Sequence, residues 1–225
     1  MKSRGHCRVN KALKFRYILW DNDGVLVDTE RYYFQASREA LEKTGIRLSW
    51  QDFARISLTE GRSIFDLAKA QDLPEREIED LRRWRNARYA ELLETEDLGF
   101  AGPLETLTSL HGRIGMAIVT SALRSHFNII HRRTGMLPFF DFCLVREDYA
   151  MSKPAPEAYL LALKRSGHPA NEVLVIEDSP RGLAAAKAAG LTCWVIPGAE
   201  HDVAVDFPHA DRILHDLAQL PGLIR

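Results

Sequence analysis

The sequence predicts an α/β protein: a Rossmann-like parallel sheet core of five or more strands, helices on both faces, and an inserted all-helical cap. Three observations carry that expectation. Five short apolar runs rich in β-branched and aromatic residues are continuous rather than alternating, as in strands buried on both faces. The last four alternate with helical stretches, which implies parallel pairing. Between the first and second runs, a long segment shows only helical spacing.

The strand candidates are Phe15–Trp20, Met116–Val119, Phe142–Val145, Val173–Ile176 and Cys193–Ile196. A helix is expected at Ser125–Arg133 after the second run. Another, Pro156–Arg165, follows the third and is closed by Gly167. After the fourth comes Pro180–Ala189, with Ser179 as N-cap, Pro180 at the first helical position and Gly190 just past the end. In the insert, Tyr33, Ala36, Ala40 and Leu41 share a helical face, as do Trp50, Phe53 and Ile56, and then Ile64, Leu67 and Ala68. Pro74 opens a long charged helix from Glu75 to Leu93, whose Arg82, Arg83, Arg85 and Arg88 read either as an anion-binding face or as a solvated face paired with Glu75, Glu77, Glu79 and Asp80. Phe100-Ala101-Gly102-Pro103 then breaks the pattern and returns the chain to the sheet. The expected organisation is a basic N-terminal tail at 1–14, a core made of 15–29 and 100–225, and a helical cap at 30–99.

A chain of 225 residues allows one large domain, or a core with a smaller companion. With 46% hydrophobic and 27% charged residues, wholesale disorder is excluded. Thirty Lys plus Arg against 31 Asp plus Glu leave a net charge of -1, which removes the electrostatic case for nucleic-acid or membrane-surface binding. No apolar run approaches the ~18 residues that span a bilayer. Cys7, Cys143 and Cys193 are far apart and form no Cys-x-x-Cys pair, so neither a disulfide framework nor a zinc ribbon is present. These features predict a soluble cytoplasmic protein, monomer or homodimer, acting on a small molecule. The basic start (Lys2, Arg4, Arg8, Lys11, Lys14, Arg16) lacks the apolar stretch of a secretory signal and reads as a frayed tail or as a targeting or anion-binding arm.

The carboxylates fall at informative places. Asp21 and Asp23 follow the first strand, Thr120 and Ser121 end the second, Lys153 lies in the loop after the third, and Glu177 and Asp178 end the fourth. Parallel strands bring all their C-terminal ends to one edge, where open α/β sheets bind ligands. Two facing acidic pairs repel unless a cation sits between them, and all-oxygen donors favour Mg²⁺. Lysine and hydroxyl donors opposite the ion suit the oxygens of a transferring phosphoryl group. One carboxylate is then free to attack phosphorus, and a second can protonate the leaving alkoxide and later activate water. Gly24 allows a sharp turn that brings backbone N–H groups close to a phosphate.

Four segments carry a family resemblance. They are Asp21-Asn22-Asp23-Gly24-Val25-Leu26-Val27-Asp28-Thr29-Glu30, Val119-Thr120-Ser121, Ser152-Lys153-Pro154-x-Pro156, and Val175-Ile176-Glu177-Asp178-Ser179-Pro180-Arg181-Gly182. In this order the chain resembles the haloacid dehalogenase superfamily of phosphohydrolases, in its branch with a helical cap after the first strand. The likeness covers roughly residues 15–200. It implies Asp21 as nucleophile, Asp23 as general acid/base, and Thr120 and Lys153 on the phosphoryl group, with Asn22 and Ser121 as further substrate contacts. It also implies Mg²⁺ held by Asp21, the Asp23 carbonyl and Asp178, with Glu177 a direct or water-mediated ligand. Dehalogenases and phosphonate-cleaving members lack the second aspartate, so the implied reaction is hydrolysis of a phosphate monoester.

Related sugar-phosphate mutases carry a histidine where this chain has Tyr33, a departure that favours hydrolysis over transfer to a second hydroxyl. Gly61-Arg62 occupies the place of a substrate-specificity loop, and Arg62 is expected either to reach a second anionic or hydroxyl-rich part of the substrate or to lie on the surface. A phosphoacceptor signalling module would use a similar residue set, but with the acidic pair before the acceptor aspartate; the order here is the reverse.

Overall fold

The computed structural model describes residues 14–197 and 206–224. Nearly all of the basic N-terminal segment, with Cys7, lies outside the described residues. Six strands form one sheet: β1 (Tyr17–Trp20), β2 (Gly115–Val119), β3 (Phe142–Leu144), β4 (Val173–Glu177), β5 (Thr192–Val195) and β6 (Arg212–Ile213). Their order is β3-β2-β1-β4-β5-β6, and every pairing is parallel. The five apolar runs each supply a strand. β6 was not legible, because two exposed residues at an edge carry no burial pattern.

Alternation along each strand splits the core in two. Ile18, Trp20, Met116, Ile118, Leu174 and Ile176 face one side, against α5 (Ala101–Leu110) and α6 (Arg124–Thr134) through Leu107, Leu110 and Phe127. Tyr17, Leu19, Ala117, Val119, Val173 and Val175 face the other, against α7 (Glu157–Ser166) and α8 (Pro180–Ala188) through Tyr159, Ala162, Leu183 and Ala186. Burial on both faces explains why the strands read as unbroken hydrophobic runs. The Ser179 hydroxyl accepts from the Gly182 N–H at 3.2 Å, the expected cap.

The insert's last helix ends before Phe100, and Ala101-Gly102-Pro103 opens α5, which returns the chain to the sheet. First-turn N–H groups have no intrahelical partner, so proline costs little there.

Between β1 and β2 the chain forms α1 (Glu30–Glu42), α2 (Trp50–Phe53), a π-helical turn (Ala54–Thr59), α3 (Asp66–Lys69) and α4 (Glu75–Thr95). Their own core includes Leu41, Phe53, Ile64, Phe65 and Ile78. The two crossings into and out of this insert meet where Asp28 N–H donates to the Leu98 carbonyl at 2.8 Å. Val27, Tyr32, Tyr89, Leu93 and Ile130 pack α1 and α4 against α6. Among the described residues, no helix is long and apolar enough to cross a membrane.

Candidate active site

The strand order reverses between β1 and β4, and crevices of open α/β sheets lie at such a switch point. Trp20 pairs with Ile176, and the Asp21 N–H donates to the Ile176 carbonyl at 2.9 Å. Asp21 and the Glu177–Asp178 pair are therefore neighbours because their strands are.

Lys153 reaches in from the loop after β3 and spends all three donors. Its Nζ lies 2.6 Å from Asp21 Oδ1, 2.7 Å from Glu177 Oε1 and 2.9 Å from the Val119 carbonyl. Burial works against its charge, but Asp21 and Glu177 outweigh burial and hold the ammonium above the ordinary lysine range.

Both oxygens of Glu177 are occupied. Oε1 also accepts from the Tyr159 hydroxyl at 2.6 Å. Oε2 accepts from the N–H groups of Asp178 (3.2 Å) and Ser179 (3.4 Å) and from the Ser179 hydroxyl (3.2 Å). Against the cost of burial, Lys153 and these donors keep Glu177 below the usual carboxylate range.

Asp178 is the opposite case. It is buried, and its Oδ2 has no partner among the described residues. Burial first, then the neighbouring carboxylates of Glu30, Asp21 and Glu177, push its carboxyl well above the ordinary range. Burial likewise pushes Asp21 up to about 7, against the pull of Lys153. One oxygen each of Asp21, Glu177 and Asp178 can be chosen within 4.8 Å of one another. A buried carboxylate oxygen without a donor, beside a second that is only half engaged, is a set completed by a cation. The residues present fit a hard divalent ion.

Asp23 is anchored rather than free. Thr29 Oγ1 donates to its Oδ1 at 2.5 Å, while Thr120 Oγ1 (3.1 Å) and Asn22 Nδ2 (3.3 Å) donate to Oδ2. Its carbonyl accepts no hydrogen bond among the described residues.

The geometry adds the partners of four expected positions. Thr120 does not offer a free hydroxyl, since Oγ1 donates to Asp23 and accepts the Ala122 N–H at 3.0 Å. Ser121 Oγ is buried and has no partner among the described residues, and Ser121 lines the cavity between sheet and insert. The Asn22 side chain, expected to touch substrate, is fully buried, and its Oδ1 accepts from His131 Nε2 at 2.9 Å. A buried amide is worth most where both its ends are bonded, so the side chain turns inward to join His131 to Asp23. Arg62 lines the cavity mouth but is more than half exposed and pairs with Glu60 and Asp66, each at 3.1 Å. Its charge is neutralised within its own loop.

The cavity, about 380 Å³, runs from Asp21, Ser121, Lys153 and Asp178 to the insert's Phe65 and Arg85. Arg85 is a cavity residue that the charge run concealed. A helical period could have found it: Arg85 falls on the same face as the buried Ile78, Leu81, Tyr89 and Leu92. Tyr159 had no sequence signal beyond core packing.

Comparison with known proteins identifies the family. Residues 18–196 match the haloacid dehalogenase-like hydrolases. Protein CbbY of Cereibacter sphaeroides is 30% identical over 219 residues, covering 92% of this chain and 94% of that protein. A phosphorylated carbohydrates phosphatase of Thermotoga maritima is 32% identical over 178 residues, covering 77% and 81%. The crystal structure of CbbY from Rhodobacter sphaeroides in complex with xylulose-(1,5)bisphosphate aligns with a TM-score of 0.78 at 26% identity, covering 92% of this chain and 96% of that one. The chain belongs to the haloacid dehalogenase-like hydrolases.

Proposed function

We propose that this hydrolase is a Mg²⁺-dependent phosphomonoesterase of small phosphorylated metabolites, working through an aspartyl-phosphate on Asp21. The observation that carries the reading is the buried Lys153 bridge from Asp21 Oδ1 to Glu177 Oε1, set beside the unpartnered Oδ2 of Asp178. The named relatives, one a phosphatase of phosphorylated carbohydrates and one solved with a sugar bisphosphate, support a phosphate ester as substrate.

Lys153 fixes one oxygen of Asp21, leaving the other to attack phosphorus. The P–O bond to the substrate alkoxide breaks, and Asp23 supplies the proton that the alkoxide takes. Asp23 then accepts a proton from water as the oxygen of that water attacks the aspartyl-phosphate, releasing inorganic phosphate and restoring the Asp21 carboxylate. Thr29 and Thr120 hold Asp23 in place for both transfers. The Ser121 hydroxyl and Lys153 face the phosphoryl oxygens. Mg²⁺ would be held by Asp21, Asp178 and the Asp23 carbonyl, and when bound it neutralises the charge of the phosphoryl group among these carboxylates. With its oxygens already committed, Glu177 supports the ion through water and through its hold on Lys153.

The test is a panel of phosphate esters with Mg²⁺ or EDTA, reading inorganic phosphate together with isomerised sugar phosphate. Phosphate release that needs the ion and disappears in Asp21→Asn is expected. Full activity in Asp21→Asn would refute the covalent route, and isomerised sugar without phosphate release would make the enzyme a mutase.

A further inference from the structure

Five arginines punctuate α4; Arg76 is exposed near its start, and of the other four, three have carboxylate partners. Arg82 contacts Glu75 and Glu79, both at 3.2 Å. Arg83 pairs with Asp80. Arg88 pairs with Glu39 at 2.8 Å and Glu91 at 3.1 Å. Arg85 differs. Its Nε donates to Asn86 Oδ1 at 2.9 Å, and among the described residues it enters no ion pair and no other hydrogen bond. Its guanidinium stacks on aromatic rings instead, 4.4 Å from the Tyr33 centroid and 5.4 Å from that of Phe65.

Position makes that unpaired charge informative. Arg85 is half-buried and lines the same cavity as Asp21 and Lys153. A partly desolvated cation without a counter-ion is costly, whereas the exposed Arg76, also without an ion pair among the described residues, stays solvated. The guanidinium lies over both rings, and its terminal N–H groups, without partners among the described residues, are a fork of the kind that binds phosphate or carboxylate. The acid nearest in role, Glu30, also lines the cavity but feels Arg181 as its main opposing charge, not Arg85. Asn86 anchors this end to the core, since its carbonyl meets His126 Nε2 at 3.1 Å.

We infer that Arg85 is a specificity-determining residue that binds a second anionic group of the substrate. The preferred substrates are then doubly anionic phosphate esters, with a second phosphate or a carboxylate beyond the scissile group. This deepens the phosphatase reading and rests on it. It also moves to Arg85 the role expected of Arg62.

The experiment measures kcat and KM with Mg²⁺ for p-nitrophenyl phosphate, glucose 6-phosphate, fructose 1,6-bisphosphate and 2-phosphoglycolate. The proteins compared are wild type, Arg85→Gln, Arg85→Lys and, as a control, the exposed Arg83→Gln. Arg85→Gln should raise KM for a doubly anionic ester by about 30-fold, the scale of one charge-assisted contact. The two singly anionic esters should shift by no more than about threefold, Arg85→Lys should recover part of the loss, and Arg83→Gln should change nothing. Loss on the bisphosphate alone identifies the second group as phosphate, and loss on phosphoglycolate alone as carboxylate. Equal loss on all four esters, or none on either doubly anionic one, overturns the inference. Calorimetric titration of fructose 1,6-bisphosphate and glucose 6-phosphate onto Asp21→Asn, with and without Arg85→Gln, separates the two readings. If no ester releases phosphate, the phosphatase reading falls, while a bisphosphate affinity that depends on Arg85 still upholds the subsite and one that does not removes it.

Discussion

Gly24 and Asp178 pack so closely that a β-carbon on the glycine would fall inside the Asp178 carboxylate, 2.7 Å from its carboxyl carbon. Gly24 also adopts φ +82°, which L side chains rarely take. The turn after β1 and the end of β4 thus share one small volume. Gly24→Ala should displace Asp178 and lower the apparent affinity for Mg²⁺ by about 10- to 100-fold. Gly102→Ala, which meets nothing within 4 Å, should behave as wild type. Magnesium titrations of phosphate release check both, and an unchanged Mg²⁺ midpoint in Gly24→Ala would remove Asp178 from the ion site.

Lys153 compensates two buried carboxylates at once, so truncating it leaves uncompensated charge. Lys153→Met should cost about 3–5 kcal/mol of stability at neutral pH, the usual penalty for breaking a buried pair from one side. Pairing the truncation with Glu177→Gln removes one stranded charge and should restore part of that loss, without restoring turnover. Urea unfolding of the single and double variants reads the difference. Strictly additive losses would mean that the 2.7 Å contact contributes no coupling.

Ser121 and Thr120 separate two roles that the sequence joined. The Ser121 hydroxyl has no partner among the described residues, whereas that of Thr120 is tied to Asp23. Ser121→Ala should raise KM for phosphate esters by about tenfold with kcat nearly kept. Thr120→Val should lower kcat instead, since it removes a donor that holds Asp23. Identical effects in the two variants would contradict the division.

Much of this site was legible because sequence and geometry share a rule: acids at the ends of parallel strands must converge. That rule located Asp21, Glu177 and Asp178 without specifying what each side chain touches. Asn22 and Thr120 sat in the expected motifs, yet both face inward, because a buried amide or hydroxyl is directed by partners far along the chain, such as His131. Arg85 was hidden for a different reason. Among many charged neighbours it read as one of four arginines on a face either anion-binding or solvated, and only the line of Ile78, Leu81, Tyr89 and Leu92 sets it apart on the packed face. The π-helical turn at Ala54–Thr59 kept the apolar spacing of an ordinary helix, so nothing in the pattern set it apart.

His131 gives the last test, on stability rather than turnover. Its ring is buried, with Nε2 facing Asn22 Oδ1 at 2.9 Å and Nδ1 facing Thr134 Oγ1 at 3.1 Å. A neutral ring meets both, donating from Nε2 and accepting at Nδ1 from the Thr134 hydroxyl. Burial holds its pKa down to about 4. The unfolded chain therefore takes up a proton near pH 6.5 that the folded one refuses until about pH 4. Stability from this residue is complete above pH 6.5 and is lost as pH falls toward 4, by about 2 kcal/mol at pH 5. His131→Gln keeps a donor for Asn22 and removes the titration. Urea unfolding at pH 7.5 and pH 5.0 should then show wild type losing about 2 kcal/mol more than the variant between the two conditions. Parallel losses in both proteins would mean that the ring is already charged in the fold, and the bond from His131 to Asn22 would have to be redrawn.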